Sequence, residues 1–127
     1  MPGVTELDDV LAANRSFYEA FEARDLGAMS DVWEHSDRVT CTHPGWTRLD
    51  GWGSISASFY ALFGNGAPIQ FILTNERVEV AGDTAWVVAE ENILGDDAGA
   101  TAVGLNLFVR DRTAWKLVAH HASQVLS

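Results

Sequence analysis

From Pro68 onward the chain reads as four long segments, 69–80, 84–94, 101–112 and 114–125, separated only by AGD, GDDAGA and DRTA. Breaks that short join antiparallel neighbours, because a parallel return needs a crossover of a dozen residues or more. The C-terminal part of the chain is thus committed to one antiparallel meander. Everything before it has to cover one of its faces.

The preceding residues carry a different period. Between 4 and 24, Val4, Leu7, Leu11, Phe17, Tyr18 and Phe21 recur at near-helical spacing, with Thr5 and Asp8 placed as a capping pair. Leu26, Met29, Val32 and Trp33 in LGAMSDVWEH form a second, shorter stripe that completes a helical hairpin. Residues 38–50 read as a short β-hairpin bent at Pro44-Gly45 and closed by Gly51. Ile55, Phe59, Leu62 and Phe63 mark a third helix over 52–63, ending at Gly64-Asn65-Gly66. Helices first and antiparallel strands after give the α+β class in one domain, 1–127. The economical packing is a cone-shaped, curved antiparallel β-sheet wrapped around three N-terminal helices. Its mouth is apolar and is the default place for a small apolar ligand.

Charge narrows the partners. Eight basic residues stand against 18 acidic ones, a formal net charge of −10, which repels nucleic-acid phosphates and anionic membrane surfaces. Cys41 is the only cysteine, so no internal disulfide forms. The start MPGVTELDDV lacks the features of a signal peptide, and no apolar run is long enough to span a bilayer, so a cytoplasmic protein is expected. No nucleophile elbow, P-loop or Rossmann glycine pattern occurs. His43, His121 and Glu90 or Glu91 could be imagined as metal ligands, but no ligand-spacing motif joins them. Neither a metal nor an organic cofactor is implied.

DRVTCTHPGWTRLDGWGSISASFYALF, residues 37–63, and LNLFVRDRTAWKLVAHHAS, residues 105–123, resemble the SnoaL-like branch of the nuclear transport factor 2-like superfamily. The resemblance implies the cystatin-like α+β barrel. That superfamily includes isomerases, dehydratases, polyketide cyclases and the association domain of calmodulin-dependent kinase, so the fold leaves the activity open. In the ketosteroid isomerase branch an aspartate immediately before a proline is the catalytic base, and the resemblance puts His43 there. The same comparison sets Phe17 and Asn106 at the positions of the two oxyanion donors, with Tyr18 one residue out of register.

Imidazole before Pro44 suits a base working near neutral pH, and the Asn106 amide can polarise a carbonyl. Each also has a plain structural reading, as a hairpin hydrogen bond or a satisfied buried amide. His120 and His121 are adjacent on one strand, so they take opposite faces. Counting on from Trp115, Leu117 and Ala119 puts His121 and Ser123 on the pocket side. Glu90 and Glu91 divide between the faces in the same way. The expected catalytic set is therefore His43, Asn106 and His121. Phe17, Tyr18, Trp33, Trp46, Phe59 and Ser123 are the expected ligand-binding residues, although the aromatics could equally be core.

Two function classes follow: an enzyme of proton transfer beside a carbonyl, or a ligand-binding or association domain. Trp86 through Ala89 and Val103 through Val109 are apolar on both strand faces, which predicts a homodimer through the outer sheet face in either case.

Overall fold

The computed structural model describes residues 3–66, 68–95 and 99–126. Helix α1 (Val4–Ala23) buries Val10, Asn14, Phe17 and Tyr18, the three- and four-residue spacing of a single face. It begins one residue before Thr5, so Thr5 and Asp8 lie inside it, and Glu6 accepts the Gly3 N–H at 3.4 Å instead. Arg24, left-handed at φ 52°, ends α1. Asp25 then caps α2 (Leu26–Val32), its carboxylate accepting the Ala28 N–H at 3.0 Å. This is the expected helical hairpin.

Strands β1 (Thr40–Thr42) and β2 (Leu49–Asp50) pair antiparallel. Between them His43, Pro44, Gly45 and Trp46 form a turn closed by the Trp46 N–H on the His43 carbonyl at 2.9 Å. Pro44 fixes the first central dihedral, and Gly45 at φ 83° takes the second position of a type II turn. Gly51 at φ 85° then turns the chain into α3 (Trp52–Gly64).

The long strands are β3 (Gln70–Ala81), β4 (Thr84–Leu94), β5 (Ala100–Asp111) and β6 (Ala114–Gln124). Their ends fall within one residue of the positions read from sequence; within GDDAGA, residues 96–98 lie outside the described residues. The sheet runs β2-β1-β6-β5-β4-β3. The long strands pair antiparallel, but β1 lies parallel to β6, with Cys41 opposite His120. The sheet is therefore mixed rather than wholly antiparallel. No tight turn joins β1 to β6, so packing and not loop length sets their relative direction.

One irregularity exchanges the inner and outer faces along β6. Leu107 pairs with Ala119 and the next residue, Phe108, with Leu117, which leaves Val118 as an extra residue on β6. The bulge inverts the side-chain alternation. Trp115 and Leu117 point inward before it; Val118, His120 and Ala122 do so after it.

Helix α1 crosses the inner face against β3, β4 and β6, and α3 lies against β1 and β2. Phe17, Trp33, Phe59 and Phe108 are fully buried between the layers. Phe17 and Phe59 meet edge to face, with centroids 6.2 Å apart, an arrangement that adds to their area burial.

Candidate functional site

Three neighbouring strands each send a polar side chain to the inner face. The inward row of β4 is Ala85, Val87, Ala89 and then Glu91; that of β5 includes Gly104 and Asn106; on β6 it is His120. Glu91, Asn106 and His120 are all buried. The parallel docking of β1 on β6 brings the turn beside them, and His43 is only 3% exposed. The rings of His43 and His120 lie 6.4 Å apart, centroid to centroid.

All of these groups but Asn106 border a cavity of about 220 Å³. His43, Glu91 and His120 supply its polar wall, while Phe17, Phe21, Leu62, Phe71 and Ile93 supply the apolar one, with Pro44, Trp46 and Ile69 completing the lining. That is below the ~300–1,000 Å³ of drug-sized sites. Only a compact molecule fits.

Hydrogen bonds assign the imidazole tautomers. Ser58 spends its hydroxyl proton on the Ile55 carbonyl at 2.7 Å, so at 3.0 Å it accepts from His43 Nε2–H. His43 Nδ1 is then the ring's unprotonated nitrogen. On the other ring, His120 Nδ1 lies 2.5 Å from Asn106 Oδ1, which can only accept. His120 therefore carries its proton on Nδ1 and keeps a lone pair on Nε2. Asn106 Nδ2 donates to Asn14 Oδ1 at 2.7 Å and to the Tyr18 hydroxyl at 3.3 Å. Tyr18 in turn donates to Glu91 Oε2 at 2.5 Å.

Burial sets the protonation states. It lowers His43 to about 4 and, with help from neighbouring His43 and His121, lowers His120 to about 3. Both rings are neutral at pH 7, and burial makes each a weaker base than the near-neutral imidazole expected from the sequence. Burial raises the Glu91 carboxyl, against the Tyr18 hydrogen bond that lowers it, and it pushes the Cys41 thiol up to about 12. Tyr18 is raised as well, by burial and by Glu91, and keeps its proton.

The histidine shifts make stability depend on pH. Folded values below the unfolded 6.5 mean that stability is intact above pH 6.5 and is lost as pH falls toward 4. We expect His43→Gln to remove about 3 kcal/mol of that acid-side loss, read as the difference between urea unfolding at pH 7 and pH 4. Glu91 has the opposite sign, favouring the fold below its unfolded 4.5 and opposing it as pH rises. Glu91→Gln is accordingly expected to raise the melting temperature more at pH 7 than at pH 4.

The expected site residues divide. His43, Phe17 and Trp46 line the cavity. His121 and Ser123 do not: both are exposed on the outer face, because the bulge at Val118 reverses the count from Trp115 and Leu117. The inward histidine is His120. Asn106 holds His120 from behind, its N–H groups spent on Asn14 and Tyr18 rather than offered to a ligand. Tyr18 likewise sits behind Glu91. Trp33 and Phe59 belong to the core, although Phe59 meets the His43 ring edge-on at 5.1 Å. Glu90 points away, bonded to Asn75, and His121 lies on the outer face, so His43 and Glu91 meet at the cavity without the third member of the imagined metal set.

Glu91, His120, Asn14 and Ser58 were not among the expected site residues. Gly104 is a further residue that the strand pattern does not single out. A Cβ there would overlap Glu91 Oε2, lie 2.9 Å from Glu91 Cδ and sit 3.2 Å from the Tyr18 hydroxyl. Gly104→Ala is expected to destabilise the fold by about 1–3 kcal/mol, measured by thermal unfolding, and to break the Tyr18–Glu91 hydrogen bond.

Among the described residues no helix is long and apolar enough to cross a membrane. A dehydratase candidate of the nuclear transport factor 2-like family from Streptomyces avermitilis is 40% identical, with 97% of this chain and 98% of that one covered at a TM-score of 0.91. A candidate calcium/calmodulin-dependent protein kinase type II association domain from Thiobacillus denitrificans is 31% identical, covering 91% and 94% at a TM-score of 0.78. The F-box protein SKIP8 of Arabidopsis thaliana is 27% identical over 117 residues, 92% of this chain but only 50% of that protein's length. The profile of the SnoaL-like domain matches residues 10–127. With that match spanning nearly all of the cone and its pocket, the chain belongs to the SnoaL-like family of the nuclear transport factor 2-like superfamily.

Proposed function

We propose that the pocket catalyses cofactor-free proton transfer beside the carbonyl of a compact, uncharged molecule, with dehydration as its leading form and isomerisation or cyclisation as variants. The observation that carries this reading is the convergence of a carboxyl and two neutral imidazoles on one apolar cavity. No Lys or Arg is among the described residues that line the cavity, so a carboxylate or phosphate would lose its hydration without a partner.

In the dehydration, His120 Nε2 takes the proton from the carbon next to the carbonyl. The electron pair of that C–H bond becomes the new C=C bond. Glu91, protonated on the oxygen that does not face Tyr18, gives its proton to the departing hydroxyl, which leaves as water. His43 Nδ1 accepts a substrate hydroxyl and orients it. The likeness to the Streptomyces avermitilis dehydratase candidate agrees with this class.

The test is α-proton exchange, because it needs no knowledge of the product. Compact cyclic ketones and β-hydroxy ketones are incubated with the protein in D2O and followed by NMR. Protein-dependent deuterium uptake next to the carbonyl is the expected result; uptake at the buffer rate across the set would sink the reading.

A second property is compatible with the first. The outer face of the sheet exposes Val103 and Leu105 beside half-buried Trp86, Val88 and Leu107. Two of the similar structures are described as a kinase association domain and a kinase hub. We propose that two copies of this chain pair through that face. Light scattering at micromolar concentration is expected to give a dimer, and Leu105→Glu a monomer with the same secondary structure.

A further inference from the structure

The hydrogen bonds behind the pocket form one directed chain, and its direction decides whether the pocket has a deep base at all. We propose that Tyr18, held by Glu91, is a positioning residue that selects which His120 nitrogen faces the pocket unprotonated, acting through the Asn106 amide. The use made of that nitrogen rests on the proton-transfer reading above; the tautomer does not.

Tyr18 has one proton and gives it to Glu91 Oε2 at 2.5 Å. Toward Asn106 its oxygen can then only accept, so Asn106 must present an N–H there, as it does at 3.3 Å. An amide with its nitrogen on one side has its oxygen on the other. That oxygen meets His120 Nδ1 at 2.5 Å and forces the proton onto Nδ1. The result is a lone pair on Nε2.

Asn14 shows that the opposite direction is a real competitor. It is fully buried, and its Nδ2 has no hydrogen-bond partner among the described residues, an expensive state for a donor. Turning both amides by half a rotation would satisfy it: Asn14 Nδ2 would donate to Asn106 Oδ1, and Asn106 Nδ2 would donate to His120 Nδ1. His120 would then carry its proton on Nε2, and the pocket would lose that base. What opposes the reversal is Tyr18, whose oxygen would be left facing the Asn106 oxygen with no proton between them. Gly104 matters for the same reason, since a Cβ there would overlap the Glu91 carboxyl that holds Tyr18.

The experiment is long-range proton–nitrogen NMR of the whole chain labelled with 15N-histidine, at pH 7 and without substrate. The wild type is expected to show His120 protonated on Nδ1. Tyr18→Phe frees the amides and is expected to move the tautomer ratio toward Nε2–H by roughly tenfold or more. Glu91→Leu, which releases the Tyr18 proton toward Asn106, should shift the ratio in the same direction as Tyr18→Phe and serves if that variant folds poorly. An Nε2–H wild type, or a ratio unmoved by both Tyr18→Phe and Glu91→Leu, overturns the proposal. Because the tautomer is read on the free protein, a pocket that exchanges no substrate proton would sink the proposed function and leave this assignment standing.

Discussion

His120→Gln is expected to reduce protein-dependent deuterium exchange by about 10²–10⁴-fold, the usual worth of a positioned general base. Glutamine keeps an amide that can meet Asn106 yet offers no nitrogen that takes a proton. The ring it replaces packs against Phe17 at 4.7 Å between centroids, so a modest loss of melting temperature should accompany the change. Circular dichroism and thermal unfolding separate that loss from the loss of rate. The comparison with His43→Gln is the informative one. If His120 removes the proton and His43 only orients a hydroxyl, the His43 variant should lose less exchange than the His120 variant. Reversed magnitudes would move the base to the turn, while full activity in both variants would remove the imidazoles from the chemistry.

Phe59→Ala is expected to cost about 3–5 kcal/mol of folding stability, measured by urea unfolding at pH 7. Phe59 has no exposed surface and packs against Phe17, Phe21, Trp33, Phe63 and the His43 ring. Truncation removes a large apolar side chain where two helices, Trp33 at the end of α2 and the hairpin meet, so collapse around the gap is restricted and the cavity persists. Phe59 is not among the residues that line the pocket. Exchange activity per folded molecule should therefore fall much less than stability does. A variant as stable as the wild type that no longer bound or exchanged substrate would return Phe59 to the ligand site.

Part of the site was legible in the residues themselves. His43 stood out because Pro44 and Gly45 dictate a type II turn through their own dihedral limits, which places the preceding residue at a hairpin tip. Phe17 and Trp46 were named and do line the cavity. A period-two count along β6 selects His121 over His120, and one bulged residue, Val118, turns that count over. Glu90 and Glu91 could not be told apart, since Trp86 to Ala89 is apolar on both faces and gives alternation nothing to register against.

What the sequence determined by itself was the kind and order of the elements. Helical and two-residue periods, glycine and proline turns, and the short gaps between the four C-terminal strands are local properties, written within a few residues of where they act. Only the tertiary structure decided which side chains share the pocket. The parallel docking of β1 on β6, the bulge that turns His120 inward, and the space above Gly104 that admits the Tyr18–Glu91 pair each depend on residues far apart in the chain. Packing against a common face selects these arrangements, and a one-residue change of register exchanges the inside for the outside without altering any local preference.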